Sequence, residues 1–258
     1  MTTSGIDRTR DSIGPATVIL LAAALAWIGI IIWASDMGAM PGTMDLTLPV
    51  FVVMWALMMA AMMLPSAMPM ITLYIRTIQT QRWLRMAAFG SGYLLAWALA
   101  GVPAFGLAWI AGEVAIEYSG VATAGAVIIF VAAGIYQLTP LKHRCLKHCR
   151  SPLAHLMHYG NYRGRLRDLR AGSHHGFFCL GCCWGLMLLM IGFGVMNVIA
   201  MIGLAAVIAI EKQWRYGEQF SRATGIVAFG LAVAVIWFPD LAPGIITEST
   251  SSMDDMGM

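Results

Sequence analysis

Long stretches without a charged side chain dominate this sequence and restrict what it can fold into. Six such apolar runs occur, and most reach the roughly 20 residues that a helix needs to cross a bilayer. They cover residues 15–35, 46–75, 86–111, 120–141, 176–210 and 223–239. Only 11% of the residues are charged, against about 25% in soluble domains. The sequence therefore predicts an all-α fold, a polytopic membrane helix bundle that forms one domain over residues 1–258.

The fifth run, residues 176–210, is too long for an ordinary crossing. A single helix of that length would extend about 50 Å, whereas the hydrocarbon core is about 30 Å thick. Gly192-Phe193-Gly194 lies near the middle and predicts a broken or re-entrant helical hairpin, with one long tilted helix as the alternative. The hairpin gives about seven membrane segments. Asn197, the most polar side chain of the run, is expected to hydrogen-bond across helices or to line a site.

The distribution of basic residues predicts the orientation, because Lys and Arg collect in cytoplasmic loops. With a cytoplasmic N-terminus and the hairpin, all 16 Lys and Arg lie in cytoplasmic segments, namely 1–14, 76–85, 142–175 and 211–222. The three outer segments contain none; they are residues 36–45, 112–119 and 240–258. We therefore expect a multi-pass inner-membrane protein whose C-terminus lies outside.

Residues 142–175 form a basic insert on the predicted cytoplasmic side, with eight Lys and Arg against one acid, Asp168. Such a segment orients the protein and contacts anionic lipid headgroups. Ser151-Pro152 has the pattern of a helix N-cap followed by proline in the first turn. A short interfacial helix is therefore predicted after Ser151.

Methionine is concentrated in the second run. Met54, Met58 and Met62 are spaced i, i+4, i+8 and therefore share one helix face. Thioether sulfur is a neutral, soft ligand that suits Cu(I), so this stripe predicts a path for a cuprous ion. Methionine as a flexible packing residue is the alternative. Pro65 and Pro69 follow and are expected to kink or break the helix.

Cysteine gives a second and stronger pattern. Cys145 and Cys149 are spaced i, i+4, and a later group places a histidine and three cysteines on one helix face. Thiolates with histidine suit a tetrahedral zinc site or a Cu(I) site of two or three ligands. The alternative is that these are reduced cysteines that pack as small apolar side chains. The predicted ligands of a soft metal are Cys145, His148, Cys149, His175, Cys179, Cys182 and Cys183.

The same residues leave other functions open. Cys179 and Cys182 form a C-x-x-C pair, which with Cys145 and Cys149 would suit a membrane thiol-disulfide relay. A subunit of a copper-dependent membrane oxidase or oxygenase is a further alternative, as is an interaction subunit without a site of its own. The apolar runs contain no ionisable pair for acid-base catalysis, and they lack the intramembrane charge typical of proton- or sodium-coupled carriers. Whether the protein is an enzyme stays open.

Two predicted outer segments mix methionine with aspartate. They are the loop of residues 36–45 and the flexible tail within residues 240–258, which ends in MDDMGM. Such segments are expected either to capture copper outside the membrane or to be plain disordered ends.

Three motifs carry a resemblance to a known family. They are MMAAMMLPS at residues 58–66, CLKHCRSP at 145–152 and HGFFCLGCCW at 175–184, continuing through GVMN at 194–197 to Glu211-Lys212. In these motifs the chain resembles an uncharacterised bacterial family of predicted metal-binding integral membrane proteins. The resemblance implies that the two cysteine elements act as one unit, and it names neither the ion nor a reaction.

The function expected from these patterns is binding of a soft metal ion for copper delivery or transport. Copper(I) is the expected ion, and zinc or another soft metal is the alternative. The expected partners are the lipid bilayer, the metal ion, and a metallochaperone or an oxidase subunit. No binding of nucleic acid is expected.

The first prediction concerns topology, because all three proposed outer segments lack Lys and Arg. A reporter that is active only outside the membrane should be active when fused after Met258 and silent when inserted near Tyr216. Activity at Tyr216 with silence at Met258 would contradict the hairpin and support one long helix.

Overall fold

A computed structural model describes residues 4–37, 42–78, 80–117 and 119–245. Within these ranges the chain is helical and contains no strand, which confirms the predicted all-α bundle. Its helices are α1 (Ser4–Met37), α2 (Leu48–Arg76), α3 (Arg82–Glu117), α4 (Ser119–Leu138), α5 (Pro140–Arg150), α6 (Pro152–Gly160), α7 (Arg167–Phe193), α8 (Val198–Gln213) and α9 (Gly217–Trp237).

Six of the described helices are long and apolar enough to cross a membrane: α1, α2, α3, α4, α7 and α9. In α2 and α7 the apolar stretch is 56% and 61% buried, against 22% in α1 and 28% in α9. The centre of the bundle therefore lies along α2 and α7. The remaining predicted segment, the second arm of the hairpin, corresponds to α8, which has only 16 residues.

The predicted break in the fifth run is confirmed. α7 ends at Phe193, and Gly194 follows with a positive φ of 92°, a conformation that glycine adopts at low cost. Asn197 joins the two helices: its Nδ2 donates to the Phe193 carbonyl, and its Oδ1 accepts from the Ala200 amide at 3.1 Å. Asn197 therefore closes the turn and caps α8, rather than bonding across the bundle.

α7 differs from the prediction at its start, because it begins at Arg167, nine residues before the apolar run. The first turn contains Asp168, whose carboxylate accepts hydrogen bonds from Arg85 and from the Tyr74 hydroxyl. These partners let a charged side chain lie within the helix bundle, since a buried charge is tolerated when it is paired. With 27 residues, α7 is long enough to cross a hydrocarbon core about 30 Å thick.

Pro65 and Pro69 do not break α2, which runs without interruption from Leu48 to Arg76. Each proline removes one backbone donor from the helix. Near them the Ser66 hydroxyl donates to the Met63 carbonyl at 2.9 Å. The residues that follow the prolines therefore stay in register with the methionines that precede them.

Glycines bring the backbones of α3 and α7 together. A Cβ atom added at Gly172 would collide with the carbonyl oxygen of Phe89, and one added at Gly92 would collide with that of Leu169. Lipid tails are as apolar as the helices, so close packing through small residues is a main source of helix association in membranes. This contact sets the position of the α7 cysteines relative to α3.

Two short helices follow α4 within the predicted insert. Thr139 caps α5 by accepting from the Lys142 amide, with Pro140 in the first turn. α6 begins at Pro152 after Ser151, as the sequence predicts, although the Ser151 side chain makes no capping hydrogen bond. The insert is thus mostly helical, and α5 carries the first cysteine pair.

The contact between α3 and α7 gives a stability prediction. Gly172→Ala should lower the free energy of unfolding by about 1–3 kcal/mol, because the new methyl group overpacks the backbone of Phe89. Gly90→Ala is the matched control, since a Cβ at Gly90 would meet nothing within 4 Å. Thermal unfolding in detergent measures both, and equal melting temperatures would contradict the proposed role of Gly172.

Candidate metal centre

Three buried cysteines of α7 form the centre of the site. The sulfur atoms of Cys179, Cys182 and Cys183 all lie within 4.8 Å of one another. The Sγ atoms of Cys182 and Cys183 are 3.3 Å apart. Because these residues are spaced i, i+3 and i+4, the helix itself places their side chains on neighbouring positions of one face. This group could hold a metal ion.

α5 adds a fourth sulfur from the other cysteine pair. The Sγ atoms of Cys149 and Cys182 are 3.6 Å apart. The predicted meeting of the two cysteine elements is thus observed at Cys149. Cys145 packs against Gly181 of α7, where a Cβ atom would lie 2.8 Å from the Cys145 sulfur. Cys145 is half-buried and lies outside the close group of three.

Both α5 thiols hold their protons more tightly than an exposed cysteine. Burial raises the pKa of Cys145. The hydrogen bond between Cys149 and Cys179 raises the pKa of Cys149 well above its usual value. A soft metal that binds Cys149 therefore has to displace its proton.

Two residues that the site prediction did not include contact Cys179. The Lys212 ammonium lies 2.9 Å from the Cys179 sulfur and 3.0 Å from the Ser66 hydroxyl. The Tyr93 hydroxyl is 2.9 Å from the same sulfur. Each comes from a different helix, so no local spacing indicates them. The inclusion of Lys212 in the family motif was the one available signal.

A buried ion pair holds the end of α8 in place beside the site. Lys142 and Glu211 are 0% and 1% exposed, with Nζ and Oε2 2.6 Å apart. Gln137 donates to the other carboxylate oxygen of Glu211 at 2.9 Å. Because a buried charge without a partner is strongly destabilising, this pair fixes α4, α5 and α8 relative to one another. Lys212, the next residue, is positioned as a result.

A cavity of about 320 Å³ borders Cys149 of the cysteine group. Cys149, His175 and Lys212 line one part of it, and Ser66 and Met70 of α2 line another. An ion in this cavity would meet sulfur, imidazole and thioether ligands from three helices. His175 is buried, and its ring lies against Tyr93 with centroids 5.9 Å apart.

His148 lies in a different environment from its neighbour Cys149. Its ring stacks on Phe178 with centroids 3.5 Å apart, and the ring of His174 is 5.8 Å away. The structure thus brings Cys149 to the α7 cysteines and places His148 among aromatic side chains.

The methionine stripe is fully enclosed. Met54 and Met58 are completely buried, and Met62 is 2% exposed. Continuing at the same spacing, the stripe reaches Ser66 and Met70, which line the cavity. Burial suits a packing role and a ligand role equally.

The outer methionine-aspartate segments are described only in part. Residues 38–41 and 246–258 lie outside the described residues, so the tail prediction is untested. Within the loop, Met44 is buried against the core with a positive φ of 54°.

A family model matches residues 52–235 of this chain, and it describes the PpoB2 family, a copper chaperone. The match covers well over half of the sequence, and the chain belongs to this family. No curated protein and no solved structure matches the chain. The family match supports the copper-related metal binding that was expected from the sulfur-rich patterns of the sequence.

Proposed function

We propose that this member of the PpoB2 family binds a cuprous ion at its clustered thiols and delivers or transports it at the inner membrane. The observation that carries the proposal is the meeting of Cys149 with the three α7 cysteines beside a lysine. Soft thiolate ligands suit Cu(I), and the family description names copper. The thiol cluster is a place where the ion is held before transfer.

The charge of the site supports a monovalent ion with two thiolates. Cu(I) and two thiolates carry a net charge of −1, and the ammonium of Lys212 beside Cys179 makes the group neutral. A neutral assembly avoids most of the cost of burying charge in a membrane protein. Lys212 thus acts as the counter-charge for the bound ion. His175, on the cavity wall, is the proposed nitrogen ligand.

Cys145 and His148 complete the proposed set at the outer edge of the site. Cys145 shares a helix face with Cys149 and packs on α7 one residue before Cys182. A ligand in this position exchanges more readily with solvent or with a partner than the buried cysteines do. The proposed partner is a metallochaperone or a copper-dependent oxidase subunit that receives or supplies the ion.

The methionine stripe is proposed as the second part of the path. Successive members at i, i+4 are about 6 Å apart along the helix axis. From Met54 through Met58 and Met62, the face continues to Met70, on the wall of the cavity that Cys149 also lines. Thioether ligands are neutral, so binding a cuprous ion to them buries no charged ligand, and the protein can hold the ion away from water. The stripe would therefore connect the outer half of the membrane with the thiols.

The thiol site is tested by replacing Cys179 and Cys182 with serine in the full-length protein. The double variant should insert in the membrane but lose its bound copper, because two of the clustered sulfurs are removed. Elemental analysis of the purified protein measures the loss. Cys145→Ser is the matched comparison and should lower the copper content much less, because that sulfur lies at the edge of the site, outside the close group.

Unchanged copper content in the double variant would overturn the thiol site. Zinc in place of copper in the native protein would overturn the choice of ion and leave the site intact. A reversible disulfide between Cys179 and Cys182 without bound metal would favour the thiol-disulfide relay.

The methionine path is tested by Met→Leu at positions 54, 58 and 62 together. Leucine has nearly the same volume, so each change should cost less than roughly 1.5 kcal/mol of stability. Three thioether ligands of the face are lost, and copper-dependent activity of a partner oxidase should fall with them. Met→Leu at Met86 and at Met157, which is 77% exposed, should have no effect. Full activity in the triple variant would assign the stripe to packing alone.

A further inference from the structure

Three histidines from three different helices meet beside the thiol site. His148 lies on α5, His158 on α6 and His174 on α7. The ring centroids of His158 and His174 are 5.3 Å apart, and those of His148 and His174 are 5.8 Å apart. We call these residues the imidazole cluster. His174 is the member common to both close pairs.

These separations fit imidazoles that share a metal ion. With metal–nitrogen bonds of about 2.0–2.1 Å, two rings on one ion have centroids about 5 to 6.5 Å apart for bond angles from tetrahedral to nearly linear. Both observed pairs lie in this range. Imidazole nitrogen binds copper and zinc well. The spacing of the cluster is thus suited to an ion held by two histidines at a time.

Neighbouring tyrosines orient two of the rings. The Tyr159 hydroxyl lies 3.2 Å from Nδ1 of His174, and the Tyr162 hydroxyl lies 3.2 Å from Nε2 of His158. A hydrogen bond to one ring nitrogen selects the tautomer and the orientation in which the opposite nitrogen binds a metal. His148 is held differently, by stacking on Phe178.

Exposure decreases along the cluster towards the thiols. His158 is exposed, while His174 and His148 are partly buried. His148 is followed in the chain by Cys149, which is 3.6 Å from Cys182. The imidazole cluster therefore extends from the protein surface to the residue that precedes Cys149 in α5.

We propose that the imidazole cluster is a second metal site, through which copper passes between the protein surface and the thiols. The ion is held first by His158 and His174 and then by His174 and His148. In the transfer to sulfur, a Cu(I)–imidazole bond breaks as a Cu(I)–thiolate bond to Cys149 forms. The released imidazole takes up the thiol proton, so total charge is conserved and no electron is transferred. The use of the site in transfer rests on the proposed function, whereas the binding itself does not.

The test adds two equivalents of Cu(I) to the purified full-length protein and determines the ligand atoms by X-ray absorption spectroscopy. The wild-type protein should show one sulfur-bound and one nitrogen-bound ion. His174→Ala should lose the nitrogen-bound equivalent and keep the sulfur-bound one. His143→Ala is the control and should keep both, because the Nδ1 atom of His143 contacts the Thr139 carbonyl of its own helix end.

His158→Ala covers the case in which His174→Ala disturbs folding, since His158 is exposed and its loss leaves the core intact. It should weaken nitrogen ligation without changing sulfur ligation. Sulfur ligation alone in the wild-type protein, or unchanged nitrogen ligation in both histidine variants, would overturn the second site. Nitrogen-bound copper without any sulfur-bound ion would instead overturn the proposed thiol site and support the imidazole cluster as a metal site.

Discussion

The close contact between α3 and α7 determines where the chemistry of this protein lies. Gly172 meets the backbone of Phe89, and the two helices can approach only because no side chain stands between them. The same approach brings Tyr93 of α3 to the sulfur of Cys179. A bulkier residue at Gly172 would move α7 outwards and separate the cysteines from their polar neighbours. Packing in this bundle is thus a condition for the site as well as for stability.

The buried charged side chains of this protein lie near helix ends, and each has a polar or charged partner. Glu211, near the end of α8, forms an ion pair with Lys142 of α5. The ammonium of the following residue, Lys212, lies 2.9 Å from the sulfur of Cys179. The six apolar runs contain no charged side chain, so the charges of α2, α3, α7 and α9 lie near the helix ends. A thiol site at the end of the bundle can therefore use ionic groups that would be very costly near the bilayer centre.

Much of the fold follows from the sequence, because the length and polarity of the apolar runs depend on local composition. The spans and the break before Gly194 were predictable in this way. The start of α7 at Arg167 was not, because Asp168 is accommodated by Arg85, which lies far away in the sequence. The cysteines were found from their spacing, whereas Lys212 depends on the packing of α8 against α2 and α7. Local patterns thus identify ligands more readily than they identify the groups that surround them.

The shortness of α8 has a consequence for the lipid around the protein. Its 16 residues extend about 24 Å, about 6 Å less than an average hydrocarbon core. If α8 crosses the membrane, the bilayer beside it must thin, or the helix end must lie below the headgroups, to remove this mismatch. At the C-terminal end of α8, either response would create a local depression in the membrane surface next to Lys212. Water and a hydrated partner would then approach the thiols without a pore through the bundle.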